Sequence, residues 1–276
     1  MIGVFDSGSG GVTILAALQR QLPDQDFLYL GDHANAPYGH RSNEQIVELT
    51  KAGVDMLMKA GCSLVVLACN TAAAVALRHL QQNWLPHAYP DNRVLGVLVP
   101  TVEALTGVPW SQQGPTDKKQ PAQKIALFAT RKTVESEAYT DEILKRAPHL
   151  SLSGQACPGL VDAIEGGAGP LPLAGLVSGY VAEADTIEAD AVVLGCTHFP
   201  LVKQHFEDAL PDGMVILSQP EIVATSLADY LIRHPRFSKS SNGNIKILTT
   251  GDPHEIDAAE IQLPAGFTQF TSAKNY

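Results

Sequence analysis

The stretch Ile2 to Gln21, IGVFDSGSGGVTILAALQRQ, sets the reading of the whole chain. Ile2 to Phe5 reads as a short buried strand and Asp6-Ser7-Gly8-Ser9-Gly10-Gly11 as a turn. Val12 to Gln21, with Ile14, Leu15 and Leu18 on one face, reads as a helix. The same unit then recurs. Phe27 to Leu30 is a strand, followed by the loop Gly31 to Gly39 and a helix from about Ser42 to Ala60. Leu64 to Ala68 is a strand that ends at Cys69-Asn70-Thr71, before a helix over Ala72 to Gln82, and Arg93 to Val99 reads as a further strand. Short Val-, Ile- and Leu-rich runs alternating with helical stretches are the pattern of a buried parallel sheet covered by helices, so the expected class is α/β. Gly107 to Gln123 is polar, contains Pro and Gly and lacks apolar period, which reads as a surface loop or insertion.

Composition narrows the functions. With 276 residues the chain has room for two domains or one large α/β unit. Lys and Arg total 19 against 29 Asp and Glu, a net charge of −10, which argues against a nucleic-acid backbone as the main ligand. Hydrophobic residues at 45% and charged residues at 17% exclude a disordered chain. No run of about 18 apolar residues marks a membrane span. The four cysteines, Cys62, Cys69, Cys157 and Cys196, are widely spaced without a CxxC pair. With a strand beginning at residue 2, no targeting peptide is expected, and the cysteines read as reduced thiols of a cytoplasmic protein.

The chain also resembles itself. Ile2-Gly3-Val4-Phe5-Asp6-Ser7 matches Ile125-Ala126-Leu127-Phe128-Ala129-Thr130, a displacement of 123. Val65-Val66-Leu67-Ala68-Cys69 matches Val192-Val193-Leu194-Gly195-Cys196 at 127, and a weaker match of Phe27 to Gly31 with Leu150 to Gly154 falls at 123. Two related α/β lobes are expected, each ending its third strand in a cysteine, with the site between the copies.

Ligands of open parallel sheets bind beyond the carboxyl ends of the strands, where both cysteines stand. A single cysteine is ordinarily a small buried hydrophobe; two at equivalent strand ends, facing each other across a cleft, suit a two-base reaction. One thiolate removes a proton from carbon while the other thiol delivers one to the opposite face, inverting a stereocentre. Asp6, at the end of the first strand, is placed to assist Cys69; alone it would read as a turn or N-cap carboxylate. Its counterpart in the second copy is Ala129, so Cys196 needs another helper, and His198 is the nearest. The run Gly8-Ser9-Gly10-Gly11 lacks the third glycine of a dinucleotide fingerprint and is not followed by GK[ST]. It is expected instead to offer backbone N–H groups to a carboxylate. Pro37-Tyr38-Gly39, Asn70, Thr71 and Thr197 add neutral groups around the same cleft. Cys196-x-His198 supplies two metal ligands at most, and no lysine is marked as a pyridoxal anchor, so no metal and no cofactor are expected.

Taken together, Ile2-Gly3-Val4-Phe5-Asp6-Ser7-Gly8, Gly31-Asp32 with Pro37-Tyr38-Gly39, Ala68-Cys69-Asn70-Thr71-Ala72 and Leu194-Gly195-Cys196-Thr197-His198-Phe199-Pro200 resemble the glutamate racemases of the cofactor-independent aspartate/glutamate racemase superfamily. Thr249-Thr250-Gly251-Asp252 resembles a late element of that family, and Cys157-Pro158 also fits. The resemblance implies interconversion of L- and D-glutamate without pyridoxal phosphate, supplying D-glutamate for peptidoglycan, by a homodimer. It implies two pseudo-symmetric Rossmann-like lobes with parallel sheets and the active site in the cleft between them. Residues 1–99 plus 211–276 would form the first lobe, carrying Cys69, and residues 100–210 the second, carrying Cys196.

By the same resemblance, Cys69 acts on D-glutamate with Asp6 assisting, and Cys196 on L-glutamate with His198 and Glu165 assisting. Ser7, Tyr38, Gly39, Asn70, Thr71 and Thr197 hold the substrate's amino and carboxylate groups, and Thr133 approaches it. The sequence departs from the family pattern in Ser218-Gln219, where Asp-Ser is common, and in Pro100-Thr101, where Pro-Gly is common. Activation by a muramoyl-peptide precursor belongs to members with an N-terminal extension and is not expected here. An aspartate or broad-specificity racemase, an arylmalonate-decarboxylase-like lyase and a binding protein that keeps only the fold are the alternatives.

Overall fold

The computed structural model describes residues 1–109, 123–184, 188–238, 242–258 and 269–275. Its strands are β1 (Ile2–Asp6), β2 (Phe27–Gly31), β3 (Leu64–Leu67), β4 (Arg93–Gly96), β5 (Gln123–Ala129), β6 (Leu150–Ala156), β7 (Ala191–Gly195), β8 (Val215–Ser218), β9 (Ile245–Thr249) and β10 (Thr271–Ser272). One sheet runs β10-β9-β2-β1-β3-β4 and the other β6-β5-β7-β8, with every pairing parallel. Parallel strands need covered faces, which explains why β1, β2 and β3 are buried at every position.

The order β2-β1-β3-β4 is repeated as β6-β5-β7-β8, so the duplicated pattern is a duplicated topology. Register corrects one displacement. Ile2 pairs with Phe27 and Leu64, while Ile125 pairs with Leu152 and Ala191. Leu64 and Ala191 are thus counterparts at the expected 127, but the counterpart of Phe27 is Leu152, at 125, rather than Leu150. The run Arg93 to Val99 is a strand only to Gly96, and a helix begins at Leu98. A continuous apolar run does not distinguish a buried strand from the buried first turn of a helix. Of the expected loop Gly107 to Gln123, Gly107 caps that helix in the left-handed conformation and Gln123 already belongs to β5; residues 110–122 lie outside the described residues.

The expected lobe boundary at 210/211 falls too early. β8 pairs with β7, so the chain leaves the second sheet only after Ser218. It then returns through the helix Gln219–Arg233, which packs on the helix Val12–Gln21, and reaches β9 and β10 beside β2. The two sheets do not have separate cores. Along β5, Ile125, Leu127 and Ala129 join the large core that contains the first sheet, while Ala126 and Phe128 face a smaller core with Phe199 and Phe206. That is the period of two expected of a strand covered on both faces. Among the described residues no helix is long and apolar enough to cross a membrane.

Candidate active site

The carboxyl ends of β1, β3, β5 and β7 open on one cavity of about 350 Å³. From the first lobe it is lined by Ser7, Pro37, Tyr38, Gly39, Cys69, Asn70 and Thr71, and from the second by Cys196, Thr197 and His198. Ten of the thirteen residues singled out in the sequence therefore meet at one surface. Asp6, Glu165 and Thr133 stand behind it, each bonded to a residue that lines it.

Cys69 is the N-cap of the helix Asn70–His79, and its sulfur accepts from the Ala72 N–H at 3.4 Å. The Ser7 hydroxyl lies 3.4 Å from the same sulfur. Burial pushes the Cys69 thiol up to about 12, and the Asp6 charge adds to the effect against these two hydrogen bonds. Burial therefore disfavours the ionised form of Cys69. Asp6 is buried, which raises its carboxyl to about 6 against the opposing charge of His198. It accepts from Gly8 N–H at 2.9 Å and from Thr197 Oγ1 at 3.2 Å, so it ties the first cysteine's loop to the second.

Cys196 follows β7 directly, and its sulfur lies 3.8 Å from His198 Nδ1. The other ring nitrogen, Nε2, is 2.8 Å from Glu165 Oε1. Burial works against protonation of His198, but its bonds and charge interactions with Cys196 and Glu165 outweigh that and raise it well above an ordinary histidine. Burial likewise opposes ionisation of Glu165, yet His198 and the Ser9 N–H hold it below the usual carboxylate range. The second cysteine therefore has a positively charged partner for negative charge on sulfur, while the first has a buried carboxylate behind it. The two halves share a topology but differ in charge.

The glycine run has a different task from the one expected. Gly8, Ser9, Gly10 and Gly11 do not line the cavity, and two of their N–H groups serve the protein's own carboxylates, Gly8 that of Asp6 and Ser9 that of Glu165. A Cβ would stand 2.6 Å from Glu165 Oε1 at Gly8, 2.5 Å from His198 Nδ1 at Gly10 and 2.6 Å from Asp6 Cβ at Gly11. Without side chains at these positions, Asp6, Glu165 and His198, from both lobes, can all touch one loop.

Other members of the site were not singled out. Thr130 lines the cavity and its hydroxyl is 2.9 Å from Thr71 Oγ1 and 3.0 Å from Thr133 Oγ1. Its signal was present in the internal match, which aligns it with Ser7. His40, Arg131 and Asp162 also line the cavity, and no sequence pattern marked them. Tyr38 lines the cavity, but its hydroxyl is committed to Asp32 at 2.7 Å, which also accepts from Thr250 at 2.6 Å. This places the Gly31-Asp32 and Thr249-Thr250 motifs behind the wall of the site. His33 joins them, with Nε2 2.8 Å from Ser9 Oγ and Nδ1 2.9 Å from Thr249 Oγ1.

One measurement tests the coupling of Asp6 to the site. Below about pH 6 its carboxyl is protonated and loses an acceptor for Thr197 or Gly8. The expected acid limb of turnover is centred near pH 6, activity falling as pH falls through that value. Asp6→Asn removes this limb and lowers the plateau; a limb unchanged in the variant would assign it to another group.

The family model described as Asp/Glu/Hydantoin racemase matches residues 2–226. A glutamate racemase of Phenylobacterium zucineum is 46% identical over 261 residues, covering 91% of this chain and 92% of the relative. One of Roseobacter denitrificans is 44% identical over 274 residues, covering 99% of both. Among solved structures, a glutamate racemase isoform from Bacillus anthracis superposes with a TM-score of 0.82 at 29% identity, covering 99% of this chain and 96% of that one. With the family model spanning both cysteine motifs and these relatives matched nearly end to end, the chain belongs to the Asp/Glu/Hydantoin racemase family.

Proposed function

We propose that this enzyme interconverts L- and D-glutamate by direct proton transfer between two cysteines, without a cofactor. The observation that carries the reading is that Cys69 and Cys196, from equivalent strand ends of a repeated topology, line one cavity with different acid/base partners. In the L-to-D direction the Cys196 thiolate takes the α-proton, and the electron pair of the broken C–H bond moves toward the carboxylate. The Cys69 thiol gives its proton to the opposite face of the carbon. The result is D-glutamate, a Cys196 thiol and a Cys69 thiolate, and the reverse reaction uses the same groups with roles exchanged. His198 is placed to balance charge on Cys196, with Glu165 orienting its ring; Ser7 and the Ala72 N–H are placed to do so at Cys69.

An α-proton is a much weaker acid than a thiol, and each pKa unit of mismatch corresponds to about 1.4 kcal/mol, so the carbanion needs strong stabilisation. Asn70 and Thr71 supply neutral donors at the cavity, beside the N-terminus of the helix Asn70–His79, whereas the Thr197 hydroxyl gives its proton to Asp6. A dicarboxylate is compatible with a chain of net charge −10 because the donors are local. Arg131 is the single Lys or Arg among the described lining residues and suits the distal carboxylate, with Thr130 beside it. We infer also that the product serves peptidoglycan and that the assembly is a homodimer, which light scattering of the eluting protein would test by returning twice the chain mass.

The test is chiral chromatography of L-glutamate incubated with the purified protein and no cofactor, with L-aspartate in parallel. Conversion of glutamate to a mixture of enantiomers is the expected result. Preference for aspartate would shift the reading to an aspartate racemase, and inertness toward both would remove it.

A further inference from the structure

Behind Asn70 lies a group of buried side chains that the reaction outlined above does not use. Gln219 begins the helix Gln219–Arg233, where the chain comes back from the second sheet. Thr101 lies in the helix Leu98–Thr106, the last helix described before the chain enters that sheet. Tyr139 lies in the helix Ala138–Arg146, and Asn70 adjoins Cys69. All four are at most 2% exposed, so their hydrogen bonds are protected from exchange with water. Thr101 and Gln219 are also the two places where the sequence departs from the pattern it resembles, and here they touch.

The direction of every bond follows from one proton. The Thr101 hydroxyl donates to the Val97 carbonyl at 2.8 Å, so its oxygen can only accept from Gln219, whose Nε2 lies 2.8 Å away. That turns Gln219 Oε1 toward Asn70, where it accepts from Nδ2 at 2.6 Å. Asn70 Oδ1 then accepts from the Tyr139 hydroxyl at 2.8 Å, and the second Gln219 Nε2 hydrogen is shared between Asn70 Oδ1 at 3.1 Å and the Tyr139 oxygen at 2.9 Å. The Asn70 carbonyl is saturated and one of its two Nδ2 hydrogens is used, which leaves the second. Asn70 lines the cavity.

We propose that Thr101 and Gln219 lock the polarity of the Asn70 amide so that its remaining N–H serves a carboxylate oxygen of the substrate, making Gln219 a positioning residue for substrate binding. The proposal rests on the racemase reading. With the lock removed, the amide samples the flipped state, which offers a carbonyl to the carboxylate and repels it. The cost then falls on substrate affinity more than on proton transfer, since neither thiol is touched.

The test is steady-state racemisation of both glutamate enantiomers by wild type, Gln219→Leu, Thr101→Val and Thr101→Ser, with thermal melts to confirm folding. Thr101→Val keeps the side chain's shape and removes the anchoring hydroxyl, and it is expected to raise KM three- to tenfold with kcat changed less than twofold. Thr101→Ser keeps the hydroxyl and is expected to match wild type; Gln219→Leu is expected to raise KM more than tenfold. Should Gln219→Leu not fold, the two threonine variants carry the test, since they differ in the presence of the hydroxyl and not in the fold. An unchanged KM in Thr101→Val, or an equal loss in Thr101→Ser, overturns the lock. A wild-type protein inert toward glutamate instead overturns the racemase reading, and this proposal with it.

Discussion

Replacing either cavity cysteine by serine, Cys69→Ser or Cys196→Ser, is expected to lower racemisation of glutamate by more than a thousandfold in both directions. The substitution is nearly volume-conserving, so neither variant should lose the fold. The loss is chemical. An alcohol is a weaker acid than a thiol by several pKa units, at about 1.4 kcal/mol each, so serine cannot supply the base form in one direction or match the acid strength in the other. Racemisation needs both faces of the carbon, so one defective partner is enough. Each variant nevertheless keeps one working thiol and is expected to abstract a proton from one enantiomer only. With an analogue that carries a β-leaving group, Cys196→Ser should catalyse elimination on the enantiomer addressed by Cys69, and Cys69→Ser on the other. Either variant racemising glutamate at the wild-type rate would refute the two-thiol mechanism. Loss of elimination toward both enantiomers would show that the thiols do not work on separate faces.

Gly10→Ala is expected to come next in size, although the residue touches no substrate. Its new Cβ would stand 2.5 Å from His198 Nδ1 and 2.6 Å from Thr197 Oγ1, closer than nonbonded atoms allow. Both side chains are buried and cannot swing into water. Overpacking of this kind costs about 1–3 kcal/mol, which for a chain of this size lowers Tm by roughly 2–10 °C. The effect on activity should be larger than stability alone requires. The Nδ1 in question faces the Cys196 sulfur at 3.8 Å, and a displacement of about 1 Å at a reacting group can cost roughly a hundredfold. Gly175→Ala is the control, because a Cβ there meets nothing within 4 Å and sits inside the helix Pro170–Glu183. It should leave turnover unchanged and keep or raise stability, by up to about 1 kcal/mol of helix propensity, with Tm unchanged or higher. A Gly10→Ala enzyme with wild-type kcat would show that the loop yields and that His198 does not depend on it.

Much of the site could be read before any coordinates. Cys69 and Cys196 are legible because a parallel strand announces itself by an apolar run, and the residue after that run stands at the end of the sheet where ligands bind. Asp6 and His198 are legible for the same reason, as near neighbours of strand ends. Thr130 was within reach, since the internal match already aligns it with Ser7. Gln219 and Tyr139 were not readable. Gln219 reaches Asn70 across 149 positions of sequence and Tyr139 reaches it across 69, and no local pattern encodes such a meeting. Arg131 and Asp162 lie in helices whose periodicity says which face is apolar, not which polar residue overlooks a cavity.

The division between the two kinds of information follows the range of the forces involved. Side-chain sterics and the alternation of apolar with polar residues act over a few positions, so the strands, the thiols at their ends and the repeat of the unit are written locally in residues 2–69 and 125–196. Which faces pack together depends on the burial of surfaces from distant segments, and that is where the readings changed. The glycine run of Ile2 to Gln21 looked like a binding loop for a ligand's anion. In the folded chain it is the floor on which Asp6, Glu165 and His198 converge, because packing brought a second lobe within 2.6 Å of where its side chains would have been. The 210/211 boundary moved for the same reason: β8 is a short strand whose membership is decided by its hydrogen bonds to β7, and no feature of Val215 to Ser218 states which sheet will receive it.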